Sequence, residues 1–199
     1  MNLNEALDRL PDTNKNVLAV LSGGLDSSVM TMLLVKKYGA DKVSAVSYDY
    51  GQKQRIELEK AFELTNKLRI KHKILNLEIL GDIAKPMSAN IGGTDVEMPN
   101  IKDVLGDPQP PTYVPFRNLI MLSLTMSVAE VAKASHVFTG LQVHDEYGYW
   151  DTPQDGKSCG ICPSCAERIM NFVRAGYKDP IEYVDSFSWE YAVSKYEVT

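Results

Sequence analysis

The amino-acid sequence predicts an α/β fold, a doubly wound and mostly parallel sheet with helices packed on it. The first indication is residues 17–21 (Val-Leu-Ala-Val-Leu), a continuous apolar run typical of a strand buried on both faces. The second is the alternation of such runs with helical patterns, which gives the order β-α-β-α-β within the first 77 residues. Consecutive units of this kind are joined by right-handed crossovers.

Each element follows from its own local pattern. A polar N-terminal stretch predicts a short helix, and four segments read as strands: residues 17–21, 43–48, 72–77 and 136–141, the first and the last of them as buried strands. Helical patterns cover four further segments: one that ends near Gly39, residues 56–69, residues 118–133 and, near the C-terminus, about 165–175. Residues 81–112 are rich in glycine and proline, and a connection of this length indicates a functional loop.

Composition narrows the classes of protein. The 199 residues are 44% hydrophobic and 24% charged, which predicts one main globular domain, residues 1–145, with a smaller part, residues 146–199. The net charge of −5 argues against a nucleic-acid ligand, because binding to a polynucleotide needs a basic face. No apolar run approaches the roughly 20 residues that cross a bilayer, and the N-terminus lacks a signal-peptide pattern. We therefore expect a cytoplasmic protein without membrane contact.

The most informative segment lies between the first predicted strand and the first long helix: Leu21, Ser22, Gly23, Gly24, Leu25, Asp26, Ser27 and Ser28. Two consecutive glycines permit a tight turn and a close approach to a ligand. The N–H groups at a helix start favour an anion, and serine hydroxyls add neutral donors. Asp26 indicates a Mg²⁺ between its carboxylate and phosphate oxygens. The alternative is an ordinary turn in which Asp26 or Ser27 caps the helix.

The three cysteines of the chain fall within seven residues, at Cys159, Cys162 and Cys165. Such a cluster is more typical of metal binding than of disulfides in a chain without secretory features, and three thiolates on a tight turn suit Zn²⁺. Three buried free thiols are the alternative. A structural zinc takes four ligands, so His144, Asp151 or Asp155 would supply the fourth, or the site is open, incomplete or empty.

Residues 22–28 resemble the PP-loop of the N-type ATP pyrophosphatases, which split ATP into AMP and pyrophosphate. Three further segments extend the resemblance to the 7-cyano-7-deazaguanine synthase family: residues 47–52 (Ser-Tyr-Asp-Tyr-Gly-Gln), 112–118 (Thr-Tyr-Val-Pro-Phe-Arg-Asn) and 159–168 (Cys-Gly-Ile-Cys-Pro-Ser-Cys-Ala-Glu-Arg). The resemblance covers most of residues 16–182. It implies an adenine nucleotide alpha hydrolase-like fold with a small C-terminal zinc knuckle and helix.

The activity that this resemblance implies is that of an ATP-dependent carbon–nitrogen ligase of the queuosine pathway. Members of the family adenylate 7-carboxy-7-deazaguanine and let ammonia displace AMP to form an amide. They then activate and dehydrate that amide to the nitrile, so the nucleotide products are AMP and pyrophosphate. The implied cofactors are ATP, Mg²⁺ and Zn²⁺, the partners are small molecules, and a homodimer is expected by family analogy.

The resemblance also assigns roles to individual residues. The catalytic residues would be Asp26, Ser27 and Arg117, and the nucleotide would be bound by residues 21–28 together with Tyr48, Gln52, Arg117, Asn118 and Gly140. The purine-like base would lie beyond the last strand, on Asp145, Tyr149 and Asp151. The alternatives are a surface arginine at position 117, an ordinary strand aromatic at 48 and a turn residue at 52.

The sequence departs from the family pattern at several points. It lacks a fourth cysteine and a few dozen residues that usually precede the cysteine segment, and Gln54 and Phe116 stand where a histidine and a small residue are usual. Either this is a compacted relative of the kind that a viral genome would encode, or a segment is absent from the sequence. A viral protein would be located in the host cytoplasm. The rival functions are a PP-loop relative that stops at the amide or adenylates another carboxylate, and a degenerate nucleotide-binding protein.

Overall fold

The computed structural model describes residues 2–99 and 111–140 of the 199-residue chain, together with Ile169, Phe172, Val173, Tyr177, Lys178, Tyr183, Trp189 and Glu190. Within the two continuous stretches the helices are α1 (Leu3–Asp8), α2 (Leu25–Tyr38), α3 (Ile56–Leu68), α4 (Glu78–Ala84) and α5 (Arg117–Val131). The strands there are β1 (Asn16–Val20), β2 (Val43–Asp49), β3 (Lys71–Asn76) and β4 (Ala134–Thr139).

These four strands form one parallel sheet in the order β3-β2-β1-β4. Strand β1 lies between its two partners, with Val20 paired to Val46 on one side and to Thr139 on the other. The chain builds outward from β1 through β2 to β3 and then places β4 on the opposite side of β1. The winding direction therefore reverses between β1 and β4, and the predicted parallel α/β architecture is confirmed.

The two faces of the sheet carry separate hydrophobic cores, because successive residues of a strand point to opposite faces. One core joins β1 and β2 to α2 and α3, and its buried members are Val17, Ala19, Leu21, Leu34, Tyr38, Val43, Ala45, Ala61 and Ile70. The other core joins the same strands to α5, and its buried members are Leu18, Val46, Tyr48 and Ala129. The continuous apolar run that predicted β1 is thus explained by burial on both sides.

Helix α4 is an element that the sequence prediction did not include. The side chain of Asn76 accepts a hydrogen bond from the N–H of Glu78 at 2.8 Å and starts the helix directly after β3. Leu80 and Ala84 then pack with Ile91 and Val114 in a third buried cluster. The described part of the expected loop is therefore anchored to the domain, and residues 100–110 lie outside the described chain.

Several sequence predictions concern residues that the structure does not describe. The helix predicted at about 165–175 is described only at Ile169, Phe172 and Val173, which are helical. The boundary between residues 145 and 146 lies entirely outside the described stretches and stays a prediction. Among the helices that are described, none has both the length and the apolar character needed to cross a bilayer.

Candidate functional site

The candidate site lies at the carboxyl edge of the sheet, where all four parallel strands end. The loop of residues 21–28 follows β1, and Gly140 directly follows β4, so both flank the point where the winding direction reverses. Ligands of open α/β sheets bind in the crevice at this switch point. Helix α2 begins at the same edge because it follows β1. Helix α5 also begins there, because its C-terminal end leads into the start of β4.

The two glycines of the loop have different structural roles. Gly23 has a φ of 95°, and a Cβ there would lie 2.0 Å from the carbonyl oxygen of Glu57, so only glycine fits this close approach to α3. Gly24 is the N-cap of α2 and makes no side-chain capping hydrogen bond. The alternative in which Asp26 or Ser27 caps the helix is therefore wrong, because the helix already begins at Leu25.

Hydrogen bonds between Ser22 and Ser27 hold the loop in its turn. The Ser27 hydroxyl donates to the carbonyl of Gly24 at 3.2 Å and accepts from the N–H of Ser22 at 3.2 Å. The two hydroxyl oxygens are 2.9 Å apart, and the N–H of Gly24 donates to Ser22 Oγ at 3.2 Å. Ser27 is buried, with 6% of its surface exposed. Its hydroxyl is thus used inside the loop rather than directed at solvent.

Gly140 lies directly against the first turn of α2. A Cβ at this position would stand 2.9 Å from the backbone nitrogen of Ser27 and 3.1 Å from the carbonyl carbon of Asp26. The first N–H groups of a helix have no acceptor within the helix and carry its positive dipole end. Glycine at position 140 therefore allows the end of β4 to lie in backbone contact with the first turn of α2, and any side chain would clash with that turn.

The remaining loop residues occupy distinct environments. Leu21 is fully buried, and its N–H donates to the carbonyl of Val46 at 2.9 Å, which ties the loop to β2. Leu25 and Asp26 are exposed in the first turn of α2, and Ser28 is half-buried. The Asp26 carboxylate thus stands on the solvent side of the helix start.

Arg117 is the first residue of α5 and reaches the segment that follows β2. Its guanidinium donates to the hydroxyl of Tyr50 at 3.3 Å, and its Cζ lies 5.9 Å from the centre of the Tyr50 ring. The Arg117 Nε also donates to Asn118 Oδ1 at 3.4 Å. Tyr50 therefore orients the arginine at the carboxyl edge, a role that the sequence analysis did not assign. The sequence feature that could have predicted this role is the position of Tyr50, two residues beyond Tyr48 at the end of a predicted strand.

Tyr48 and Gln52 support the site from within. The Tyr48 hydroxyl lies 2.6 Å from Thr125 Oγ1 and donates to the carbonyl of Met121 at 2.9 Å, which fastens β2 to α5. Burial raises the pKa of this phenol above its usual 10.0. The Gln52 amide donates to the carbonyl of Tyr48 at 3.1 Å and accepts from the N–H of Tyr50 at 2.9 Å. These contacts favour the structural alternatives for both residues.

The residues predicted to bind the base and the metal lie outside the described chain: Asp145, Tyr149, Asp151, Cys159, Cys162 and Cys165. Residues 2–99 and 111–140 and the eight described C-terminal residues contain no group of three or more His, Cys, Asp or Glu side chains that could hold a metal ion. The described site therefore consists of the loop after β1, the start of α5 and Gly140.

A glycine-rich loop between a buried strand and a helix start, at the switch point of a parallel sheet, defines a nucleotide-binding type of α/β protein. A family model described as "Queuosine biosynthesis protein QueC" matches residues 16–155, and the chain belongs to this family. The family predicted from the sequence motifs is thereby confirmed.

Curated relatives and a solved structure are similar to this chain over different shares of its length. Proteins named 7-cyano-7-deazaguanine synthase from Koribacter versatilis and Psychrobacter cryohalolentis are 28% and 30% identical, and the alignments cover 86% and 85% of this chain and 94% and 90% of theirs. An NH3-dependent NAD synthetase from Campylobacter jejuni is 20% identical with a TM-score of 0.42, over 98% of this chain and 68% of that one.

The alignments also bear on the length of the chain. The Koribacter alignment spans 231 positions, although it includes only 86% of these 199 residues, so about 60 positions of the alignment have no residue in this chain. This agrees with the expectation that relatives carry a few dozen additional residues. The family match ends at residue 155, before the first cysteine at 159.

Proposed function

We propose that the protein is an ATP-dependent ligase that converts 7-carboxy-7-deazaguanine and ammonia into 7-cyano-7-deazaguanine, with release of AMP and pyrophosphate. Membership of the family supplies the reaction class. The observation that carries the proposal is the packing of Gly140 against the first turn of α2, because it brings the end of β4 to the helix start at the switch point.

The residues present fit a magnesium-bound triphosphate. Gly23 and Gly140 bring backbone to within contact of neighbouring backbone, and a Cβ at either position would clash, with α3 at Gly23 and with α2 at Gly140. In the proposal the amides of Leu25 and Ser27 face phosphate oxygens, and the Ser22 and Ser27 hydroxyls hold those amides in place. The Asp26 carboxylate would hold Mg²⁺, which supplies charge neutralisation of the phosphates when bound.

Arg117 would stabilise the negative charge that develops at the phosphorus under attack. Its guanidinium is oriented by the ring and hydroxyl of Tyr50. Asn118 contacts Arg117 and is exposed at the same helix start, where it would support the nucleotide by hydrogen bonding. An oriented cation of this kind lowers the barrier because the stabilisation needs no rearrangement during the reaction.

The chemistry then proceeds by two activations. A carboxylate oxygen of the substrate attacks the α-phosphorus of ATP, and pyrophosphate leaves. Ammonia attacks the activated carbonyl carbon, and AMP leaves with the former carboxylate oxygen, which gives the amide. A second ATP activates the amide oxygen in the same way, and loss of AMP and a proton gives the nitrile. Binding both reactants in one crevice supplies proximity at each stage.

The C-terminal part would supply the base-binding residues and a zinc site. Asp145 or Asp151 would accept hydrogen bonds from the guanine-like edge, and Tyr149 would stack on the ring. For zinc, Cys159, Cys162 and Cys165 would supply three thiolates, which Zn²⁺ prefers, and His144, Asp151 or Asp155 would supply the fourth ligand. Residues 1–145 would form the ATP-binding part and 146–199 the part that completes the site, in a cytoplasmic homodimer.

A second candidate function is a ligase that stops at the amide. The observation that favours it is the set of about 60 alignment positions that this chain lacks relative to a named synthase. If those positions contribute to the second activation, the protein would still adenylate the carboxylate and release AMP. The amide would then be the final product.

One assay separates the candidates. The protein is incubated with ATP, Mg²⁺, ammonia and 7-carboxy-7-deazaguanine, and the products are resolved by mass. The proposal predicts the nitrile, AMP and pyrophosphate, without ADP. An amide that is not processed further supports the second candidate. Absence of AMP with every carboxylate offered would contradict both and leave a nucleotide-binding protein without this chemistry.

A further inference from the structure

A chain of buried hydrogen bonds connects β3 to the first residue of the phosphate loop. His72 Nε2 lies 2.7 Å from Ser47 Oγ, and the Ser47 hydroxyl in turn donates to the carbonyl oxygen of Leu21. Ser47 is 1% exposed, between the buried Val46 and Tyr48 of strand β2. None of the roles considered so far explains why a serine and a histidine lie here.

The direction of each hydrogen bond follows from the chemistry of the groups. A carbonyl oxygen only accepts, so the single Ser47 hydrogen is used on Leu21. Ser47 Oγ must then accept from the Nε2–H of His72. The second ring nitrogen, Nδ1, lies 3.2 Å from Thr65 Oγ1 on α3. The Thr65 hydroxyl donates its hydrogen to the carbonyls of Ala61 and Phe62, both at 3.0 Å, so Nδ1 can contact it only as a donor, in the protonated ring. Nε2 donates to Ser47 whether the ring is neutral or protonated, because the Ser47 hydrogen is already used on Leu21.

The end of this chain is the point where the loop begins. Leu21 has its N–H bonded to Val46 and its carbonyl bonded to Ser47, so both of its backbone polar groups are tied to β2. The next residue, Ser22, starts the serine network that shapes the turn. Orientation of the Leu21 peptide therefore sets the direction in which the loop leaves the sheet.

We propose that Ser47 and His72 are positioning residues that fix the entry of the phosphate loop and thereby pre-organise it for the nucleotide. The consequence for catalysis rests on the proposed function, whereas the consequence for the loop does not. Loss of either side chain leaves a buried polar group without its partner. The loop must then become ordered when the nucleotide binds, and this cost lowers the affinity for the nucleotide.

The chain offers a matched control. Ser44 is also on β2, and its hydroxyl donates to a β1 carbonyl, that of Val17, at 3.4 Å. This bond lies at the amino end of the sheet, away from the loop. Ser44→Ala therefore removes the same kind of group without touching the loop. His72→Gln places an amide donor near the position of Nε2, whereas His72→Leu removes the donor.

The test compares the full-length wild type with Ser47→Ala, His72→Leu, His72→Gln and Ser44→Ala. Amide hydrogen exchange is measured at Ser22, Gly24 and Ser28, whose N–H groups are hydrogen bonded. The KM for ATP and kcat of AMP formation are measured in parallel. We expect Ser47→Ala and His72→Leu to accelerate exchange and raise KM about tenfold, with a smaller change in kcat. Ser44→Ala and His72→Gln should stay within about threefold of wild type.

Equal exchange and equal KM in Ser47→Ala, His72→Leu and Ser44→Ala would overturn the positioning role, whatever their melting temperatures. If Ser47→Ala does not fold, the His72→Leu and His72→Gln pair decides the same question. A wild type that forms no AMP overturns the proposed function, and the exchange comparison then decides the positioning role by itself.

Discussion

Gly140 and Ser27 are in backbone contact although 113 positions separate them in the chain: a Cβ at 140 would lie 2.9 Å from the Ser27 nitrogen. This contact joins the end of β4 to the start of α2, at the point where the winding direction reverses between β1 and β4. It is the feature on which the proposed nucleotide site most depends.

Gly140→Ala should therefore damage the site directly. The new methyl group meets backbone atoms, which cannot rotate away, so the start of α2 must shift. We expect the free energy of unfolding to fall by about 1–3 kcal/mol and the KM for ATP to rise at least about tenfold. Denaturant unfolding and AMP formation measure the two effects.

Gly92→Ala is the control for Gly140→Ala. Its Cβ would meet only the carbonyl oxygen of Gly51 at 3.2 Å, in an exposed segment away from α2. It should leave the KM for ATP within about twofold of wild type. An unchanged KM in Gly140→Ala would contradict the crevice assignment.

Asp26→Ala tests the proposed magnesium ligand. The variant should stay folded, because an exposed acidic residue in a first helical turn contributes only about 0.3–1 kcal/mol through the helix dipole. AMP formation should nevertheless fall about 100-fold or more, since loss of the bound metal removes several kcal/mol of charge stabilisation. Asp8→Ala, an exposed acidic residue of α1, should retain activity. Retained activity in Asp26→Ala would refute the role.

Stability should depend on pH through His72. Burial lowers the pKa of its ring from the usual 6.5, so the unfolded chain binds the proton more readily than the folded one. Its contribution to stability is therefore lost as the pH falls through 6.5, and the loss is complete below the folded-state pKa. Chemical unfolding between about pH 8 and about pH 5 should show this slope in wild type and a shallower one in His72→Gln.

Ser44→Ala is the control for this pH dependence, because it changes a side chain of β2 that does not titrate and leaves His72 in place. It should retain the wild-type slope. Equal slopes in His72→Gln and wild type would mean that burial of His72 is not linked to folding.

Replacement of two exposed phenylalanines by glycine should change the stability of the protein in opposite directions. Phe116 precedes α5 with a φ of 50° and is 68% exposed, so Phe116→Gly relieves a left-handed conformation and should stabilise the protein by up to about 1 kcal/mol. Phe62 lies inside α3 and is 55% exposed. Phe62→Gly should destabilise by about 0.5–1 kcal/mol. Thermal unfolding of both variants checks the signs, and stabilisation by Phe62→Gly or destabilisation by Phe116→Gly would contradict the backbone assignment.

The sheet could be predicted from the sequence because β1 and β2 are largely buried, β1 reads as an apolar run, and the strands alternate with helical patterns. The edge strand β3 is mostly exposed and was recognised by its place in this alternation. Helix α4 was missed because it is short and follows β3 without an intervening loop, although Leu77, Leu80 and Ala84 have helical spacing. The candidate loop of residues 21–28 could be located because two glycines, an aspartate and three serines are local features of the chain.

The roles of individual side chains depended on distant partners and could not be predicted in the same way. The Tyr48 hydroxyl is hydrogen bonded to Thr125, which is 77 positions away in the sequence. Arg117 is hydrogen bonded to Tyr50, which is 67 positions away. The Ser27 hydroxyl points into the loop because it accepts a hydrogen bond from the N–H of Ser22 and donates one to the carbonyl of Gly24. A residue type compatible with ligand binding is equally compatible with a structural hydrogen bond, and only the fold distinguishes the two.

The most direct measurement is an NMR titration of the isotope-labelled protein with Mg²⁺-ATP, following the backbone amides of residues 22–28 and of Gly140. The account predicts that these amides shift most, and that the shifts weaken in Gly140→Ala and persist in Gly92→Ala. Saturating nucleotide that leaves these amides unmoved would contradict the claim that this loop binds the phosphates.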